Sequence, residues 1–170
     1  MKKILLVIAI LFPVLNCIGY GQVTKAGTTA AKFLSVGIGP RANGMGGAFT
    51  SVVNDASALY WNPAGAADIT QNEAMFTYTS LFKDLDINLN YFAVVIPAED
   101  IGSFGLSVTA LNYGEMDVTT EYYPEGTGER FSAASYAFAL SYARNITEWF
   151  AAGMTVKYIT EEFLILMQTA

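Results

Sequence analysis

The chain has 170 residues, no histidine and one cysteine, and is 53% hydrophobic against only 14% charged. Soluble domains carry about a quarter charged residues, and a chain this apolar is not disordered. One cysteine cannot staple the fold, and the absence of imidazole excludes histidine metal sites and histidine-dependent triads. A net charge of −6 argues against a nucleic-acid binder, which needs a basic face.

Met1-Lys2-Lys3 is a short cationic start, Ile4 to Leu15 is almost wholly apolar, and Gly19-Tyr20-Gly21 sets small residues two apart. That layout predicts a secretory signal over residues 1–21, cleaved to leave an exported chain beginning near Gln22. The apolar run is too short for a bilayer-spanning helix, and Pro13 interrupts it. Cys17 offers a lipid-modification site as an alternative, although Asn16 before it is a poor small-residue position. No later stretch reaches eighteen consecutive apolar residues. Any membrane crossing after the signal would therefore use strands.

Residues 22–73 read as a separate segment, glycine-rich and without alternation from about residue 27. Gly37-Ile38-Gly39-Pro40-Arg41-Ala42 formally fits a dinucleotide fingerprint, but that motif needs a strand–helix frame, and Pro40 sits inside it. Gly39 to Gly46 lacks the Lys and Ser/Thr of a phosphate loop. The expectation is an irregular segment whose glycines supply positive φ and close backbone approach. Asn54-Asp55 can cap a short helix through Ser57 to Tyr60, which Pro63 ends. A small plug of this kind fits a barrel lumen.

From about Ala74 the pattern changes to period two. Phe76 and Tyr78, then Ile87, Leu89 and Tyr91, alternate with Thr or Asn. Phe104, Leu106, Val108 and Ala110 alternate with Ser, Gly and Thr, as do Tyr136, Phe138, Leu140 and Tyr142 with Ser and Ala. Phe150, Ala152, Met154, Val156 and Tyr158 make a fifth segment. Each is a strand with one apolar and one small or polar face, and most have the length of a tilted transmembrane strand. A soluble β-sandwich also alternates, but its solvated face would carry Lys and Glu rather than Ser, Thr, Gly and Ala. Tyr91, Phe104, Tyr142, Phe150 and Tyr158 near segment ends suit interfacial girdles.

Loop lengths carry the same message. The links at Pro97–Gly102 and Ala143–Glu148 are short, while the link from about Tyr113 to Phe131 is long, as periplasmic turns and outer loops are. The long loop holds Glu115, Asp117, Glu121, Glu125 and Glu129 against Arg130 alone, without EF-hand spacing. It reads as a solvated surface loop. Asn145-Ile146-Thr147 matches a glycosylation sequon but falls in an expected periplasmic turn.

The blocks Ala31-Lys32-Phe33-Leu34, Gly37 to Ala42, Gly44-Met45-Gly46-Gly47-Ala48-Phe49, Asn54 to Ala58 and Tyr60-Trp61-Asn62-Pro63-Ala64-Gly65 resemble the start of the PorV/PorQ outer-membrane family, within the wider group of FadL-like barrels. The resemblance covers about residues 26–68. It implies a barrel of about fourteen strands with an N-terminal hatch in its lumen. It further implies a PorV-like role as a component or cargo shuttle of type IX secretion, with secretion components or secreted cargo as partners. The alternative it implies is FadL-like passive uptake of hydrophobic molecules such as long-chain fatty acids. Ala66-Ala67 departs from the Leu-Ala that often follows the Asn-Pro-Ala-Gly run.

The expected fold is thus all-β: an antiparallel transmembrane β-barrel, incomplete with about five strands over residues 74–170, behind a glycine-rich hatch containing a short helix. Five strands cannot close a barrel, and open edges are not tolerated in lipid, so the chain reads as the N-terminal part of a longer protein. Glu161 to Ala170 is expected to lose the alternation. Outer-membrane lipid is the expected partner, with no nucleic acid, cofactor, metal or catalytic residue. An exported binding module and an exported enzyme using carboxylate or Ser/Lys chemistry are the competing readings. The candidate site is the hatch motif, Gly44, Gly46, Gly47, Asn62, Pro63 and Ala64, in a structural or gating role.

Overall fold

Alternating aromatic or β-branched residues and hydroxyls suit a pleated sheet, and they build five strands here. These are β1 (Glu73–Phe82), β2 (Ile87–Ala98), β3 (Gly102–Asp117), β4 (Arg130–Thr147) and β5 (Phe150–Leu166). The computed structural model describes residues 30–98, 101–124 and 126–166. The signal expected over residues 1–21, with Cys17, the start of the expected hatch at 22–29, and Glu125 lie outside them. Each strand pairs antiparallel with the next, giving the order β1-β2-β3-β4-β5. The fold is all-β. Among the described residues the sheet does not close, and β1 and β5 are its edges.

Ahead of the sheet comes a covering segment within the compact unit that begins at Ala31. It contains a 3-10 turn at Lys32–Ser35, helix α1 (Pro40–Gly44), helix α2 (Ala58–Trp61) and a 3-10 turn at Pro63–Asp68. Helix α1 falls where an irregular stretch is expected. Pro40 occupies its first turn, where the fixed φ of proline is already helical and its missing N–H costs nothing. Helix α2 and its stop at Pro63 match the sequence reading, but Asp55 does not cap α2. It accepts instead from the Ser57 backbone N–H at 2.9 Å and from the Ser57 hydroxyl.

Register fixes what each face of the sheet carries. One row crosses all five strands as Phe76, Phe92, Val108, Phe138 and Tyr158, and the next as Ala74, Val94, Leu106, Leu140 and Val156. A row of Ile96, Phe104, Tyr142 and Met154 lies on one side, and a row of Tyr78, Asn90, Ala110, Tyr136 and Thr160 on the other. None of these residues is charged. From Ile96 to Asn90 the band runs six residues, about 20 Å along a strand. Beyond it the next row, Ser80, Asn88, Asn112, Ala134 and Glu162, turns polar.

The opposite face is small and polar, with Ser103, Gly105, Ser107 and Thr109 on β3 and Ala137, Ala139, Ser141 and Ala143 on β4. Burial reverses the order that a water-soluble sheet would show. Leu106, Leu140 and Val156 are 60%, 58% and 65% exposed, whereas Ser107 and Ser141 are 6% and 2% exposed. The covering segment lies on the small-residue face. Its Phe33, Ile38, Phe49, Ala58 and Leu59 join Leu89, Tyr91, Val95, Ala137 and Ala143 of the sheet in one buried cluster.

Four sequence expectations need correction. Tyr91 belongs to no girdle; it faces inward and is 1% exposed. Strand β2 is apolar on both faces, because Ile87, Leu89 and Tyr91 back onto the cover while Phe92, Val94 and Ile96 join the outer band. The long loop is shorter than expected, spanning residues 118–129. Arg130 accounts for part of this, binding Glu115 at 3.2 Å and Asp117 at 3.1 Å and so extending the β3–β4 hairpin. Those carboxylates also hold the Arg130 guanidinium above its ordinary pKa, the hydrogen bond it donates to Glu115 foremost. Finally, β5 continues through Leu166, which pairs with Arg130, because β4 offers a backbone ladder along the whole length despite the lapsed alternation.

Candidate functional site

The feature that most needs a functional account is the seating of the cover on the wall. Two glycines interrupt the inner face of the sheet, and each receives part of the cover. At Gly105 of β3 an added Cβ would lie 2.6 Å from Leu59 Cδ1, so the Leu59 side chain occupies the space that any other residue would fill. At Gly153 of β5 an added Cβ would lie 2.5 Å from the Pro63 carbonyl carbon and 2.9 Å from Ala64 Cα. Backbone cannot retract as a side-chain tip can. These are two sockets, one for helix α2 and one for the turn after it.

Asn62 shapes that turn. Its side-chain oxygen accepts from the Ala64 backbone N–H at 3.2 Å, and its amide nitrogen donates to the Thr50 carbonyl at 3.1 Å. Pro63 then starts the 3-10 turn with its preset φ. One side chain thus caps the turn and ties it to the preceding loop. Asn62→Ala is expected to cost about 1 kcal/mol, the usual loss of a capping residue. A lowered thermal unfolding midpoint would register it, and an unchanged one would remove Asn62 from this role.

The three candidate glycines stand apart from Asn62, Pro63 and Ala64. Gly46 and Gly47, with φ of 62° and 80°, end helix α1. The Gly47 N–H reaches the Ala42 carbonyl at 2.9 Å and the Gly46 N–H the Asn43 carbonyl at 3.0 Å, the paired bonds of a Schellman stop. A side chain on Gly44, Gly46 or Gly47 would meet nothing within 4 Å. These glycines shape an exposed turn and touch no wall residue. Of the six candidate residues, only Pro63 and Ala64 meet a socket, with Asn62 holding them in place.

Sequence reasoning missed the residues that complete the contact. The Tyr60 hydroxyl lies 2.7 Å from the Leu34 carbonyl and 2.8 Å from the Val36 carbonyl. Both are acceptors, so the oxygen must keep its proton. Burial pushes that hydroxyl above its ordinary pKa. The Tyr60 ring packs edge-on against Tyr91, 5.8 Å between centroids, and against Trp61 at 5.5 Å. The Lys157 ammonium of β5 stands 5.6 Å from the Tyr60 ring centre. Trp61 Nε1 donates to the Ile38 carbonyl at 3.2 Å. At the rim, the Ala56 N–H donates to Glu73 at 3.0 Å, the Ala31 N–H to Glu161 at 3.1 Å, and Asn145 to the Asp68 carboxylate at 3.1 Å. Asn145 heads the sequon, and its amide is thus engaged with the cover. The available sequence signal was Gly105 and Gly153 inside otherwise regular strands, where glycine marks close backbone approach.

Among the described residues no three His, Cys, Asp or Glu side chains come together as metal ligands.

Neither the comparison with curated proteins nor that with solved structures finds a match. A scan against family models matches one family over residues 16–160, across the cover and nearly all of the sheet. The match corrects the resemblance drawn from the N-terminal blocks: the family whose model matches is UPF0164, and no PorV/PorQ or FadL family model matches. Runs such as Asn62-Pro63-Ala64 and the glycine turn serve local needs, capping and helix termination, that unrelated chains can share. The type IX secretion role and the fatty-acid channel rested on that resemblance alone. With 145 of its 170 positions inside the match, the chain belongs to UPF0164, an uncharacterised protein family.

Proposed function

We propose that these strands form wall of an outer-membrane β-barrel and that residues 31–72 are its hatch, closing a lumen through which solute passes passively. The observation that carries this reading is the reversed sheet. A continuous uncharged apolar band faces outward, while the face of hydroxyls and small residues is covered. Water would favour the opposite arrangement by about 25 cal/mol for each Å² of apolar surface exposed. Lipid on the band removes that cost, and a polar inner face suits a barrel lumen.

Other features support the same reading. Phe104 and Tyr142, with centroids 5.2 Å apart, lie at one edge of the band, and Tyr78 and Tyr136 at the other. Trp149, in the β4–β5 turn, and Phe150, which opens β5, are 86% and 51% exposed just beyond the Phe104 edge, where amphipathic rings favour headgroups. Among the described residues no helix is long and apolar enough to cross a membrane. The partners of this reading are lipid and a diffusing solute, and it needs no cofactor.

Single cysteines in a chain freed of Cys17 test it. Tyr122→Cys, in the exposed β3–β4 loop, is expected to react with a membrane-impermeant maleimide on intact cells. Val94→Cys and Leu140→Cys, in the band, are expected to stay unreactive until the membrane is dissolved and the protein unfolded. Release of the protein by osmotic shock with a reactive band would overturn the proposal in favour of a soluble binding module.

A further inference from the structure

A cavity of about 540 Å³ opens at the rim of the sheet, between the linker that leads from the cover into β1 and the turn that joins β2 to β3. That volume lies within the roughly 300–1,000 Å³ of small-molecule sites. Distant contacts fix both walls. On the linker side, Ile69 is buried in the core cluster, and Asn145 of β4 donates to the Asp68 carboxylate at 3.1 Å. On the turn side, the Ile101 N–H donates to the Ala98 carbonyl at 2.7 Å, and the Tyr142 hydroxyl donates to the Ile101 carbonyl at 2.6 Å. The cavity is therefore preformed. It lies past the apolar band, since its Pro97–Ser103 and Ala98–Gly102 pairs follow the pair of Ile96 and Phe104.

The lining sets the ligand class. Thr70 and Ser103 bring hydroxyls, Gln71 and Asn72 bring carboxamides, and Pro97 and Ala98 bring aliphatic surface. A carboxamide both donates and accepts, as does a hydroxyl, and the neighbouring hydroxyls of a sugar ring match that combination. No described lining residue is charged, so nothing described there selects an ion. The carboxylates of Asp68 and Glu73 stand in a smaller cavity, of about 300 Å³, flanking the same linker. Both serve the protein, Asp68 accepting from Asn145 and Glu73 from the Ala56 N–H. An acyl chain would strip water from the amides and hydroxyls without replacing its hydrogen bonds, at a cost. A peptide strand would need an open backbone edge, whereas β2 and β3 stay paired here as far as Ala98 and Gly102. We propose that this rim cavity binds a neutral polyhydroxylated ligand, a short oligosaccharide. Gln71 and Asn72 hold its hydroxyls, and Pro97 meets the C–H face of a ring. The site needs only the linker and the β2–β3 turn in place, and it does not depend on passage through a lumen.

The test is isothermal titration of the full chain in detergent micelles with maltotriose, cellotriose and chitotriose as neutral probes. Saturable binding of at least one of them is expected. Thr70→Trp, which fills the cavity from an exposed position, is expected to abolish that binding. Gln71→Ala is expected to raise Kd by about threefold to tenfold, the loss of a hydrogen bond or two. Tyr122→Ala, in the exposed loop at the other end of the sheet, is expected to leave Kd unchanged. Thr70 and Gln71 are both exposed, and unfolding midpoints matching that of the unsubstituted protein show that these variants fold. No saturable binding of any probe up to about 10 mM, far above a millimolar Kd, overturns the proposal. Binding that survives Thr70→Trp overturns it too. Binding of tetra-alanine with none of the sugars reassigns the cavity to peptide and likewise overturns it. None of these outcomes alters the labelling expected of Val94→Cys and Leu140→Cys, so the membrane reading is decided separately.

Discussion

Leu106→Arg should destabilise the protein by about 2–4 kcal/mol in a membrane, the cost of an arginine on the lipid-facing side of a barrel near the bilayer midplane. Leu106 lies in the second of the four apolar rows and is 60% exposed. On a water-facing surface the same change falls within about 0.5 kcal/mol of neutral. Urea titration in lipid vesicles against the unsubstituted protein measures the difference. A neutral result would mean that water, or a protein partner, covers this face. Ser107→Arg is no control, because Ser107 lies under the cover. Tyr122→Arg, in the exposed β3–β4 loop, is the substitution expected to be silent.

The second large effect lies at the Gly105 socket. Leu59 is 2% exposed, and Leu59→Ala is expected to cost 2–5 kcal/mol, as leucine truncations in well-packed sites do (about that range). Gly105→Ala places a methyl group where the Leu59 tip sits, an overpacking worth about 1–3 kcal/mol. Together the two changes should cost less than their sum, because alanine at position 59 vacates the space that the Gly105→Ala methyl needs. Contacting residues couple by about 0.5–3 kcal/mol in such cycles. Four thermal or denaturant unfolding curves complete the measurement. Strict additivity would show that Leu59 does not sit in this socket in solution.

Much of the fold was legible because strand alternation is a local property. Phe104 to Ala110 and Tyr136 to Tyr142 announce strands and their outward faces without reference to anything distant, and the short turns between them follow from the spacing of the runs. The cover was legible in outline, since Pro63 must stop a helix and Gly46-Gly47 suits one that ends. The site was not. Tyr91 read as an interfacial ring because periodicity cannot say which side of a doubly apolar strand meets a cover. Gly44, Gly46 and Gly47 looked like a unit with Asn62, Pro63 and Ala64, but their roles depend on which backbone passes within reach of which wall residue. Gly105 and Gly153 looked like ordinary small-face residues.

By itself the sequence determined that this is an under-charged β chain whose strands present large apolar residues on one face and small ones on the other. That follows from side chains alternating across a strand, a rule that needs only neighbouring residues. Only the tertiary structure decided which residues seat the cover on the small-residue face. Such choices are made by contacts between distant parts of the chain, Leu59 with Gly105 and Ala64 with Gly153. Shape complementarity at that separation leaves no periodic trace in the sequence.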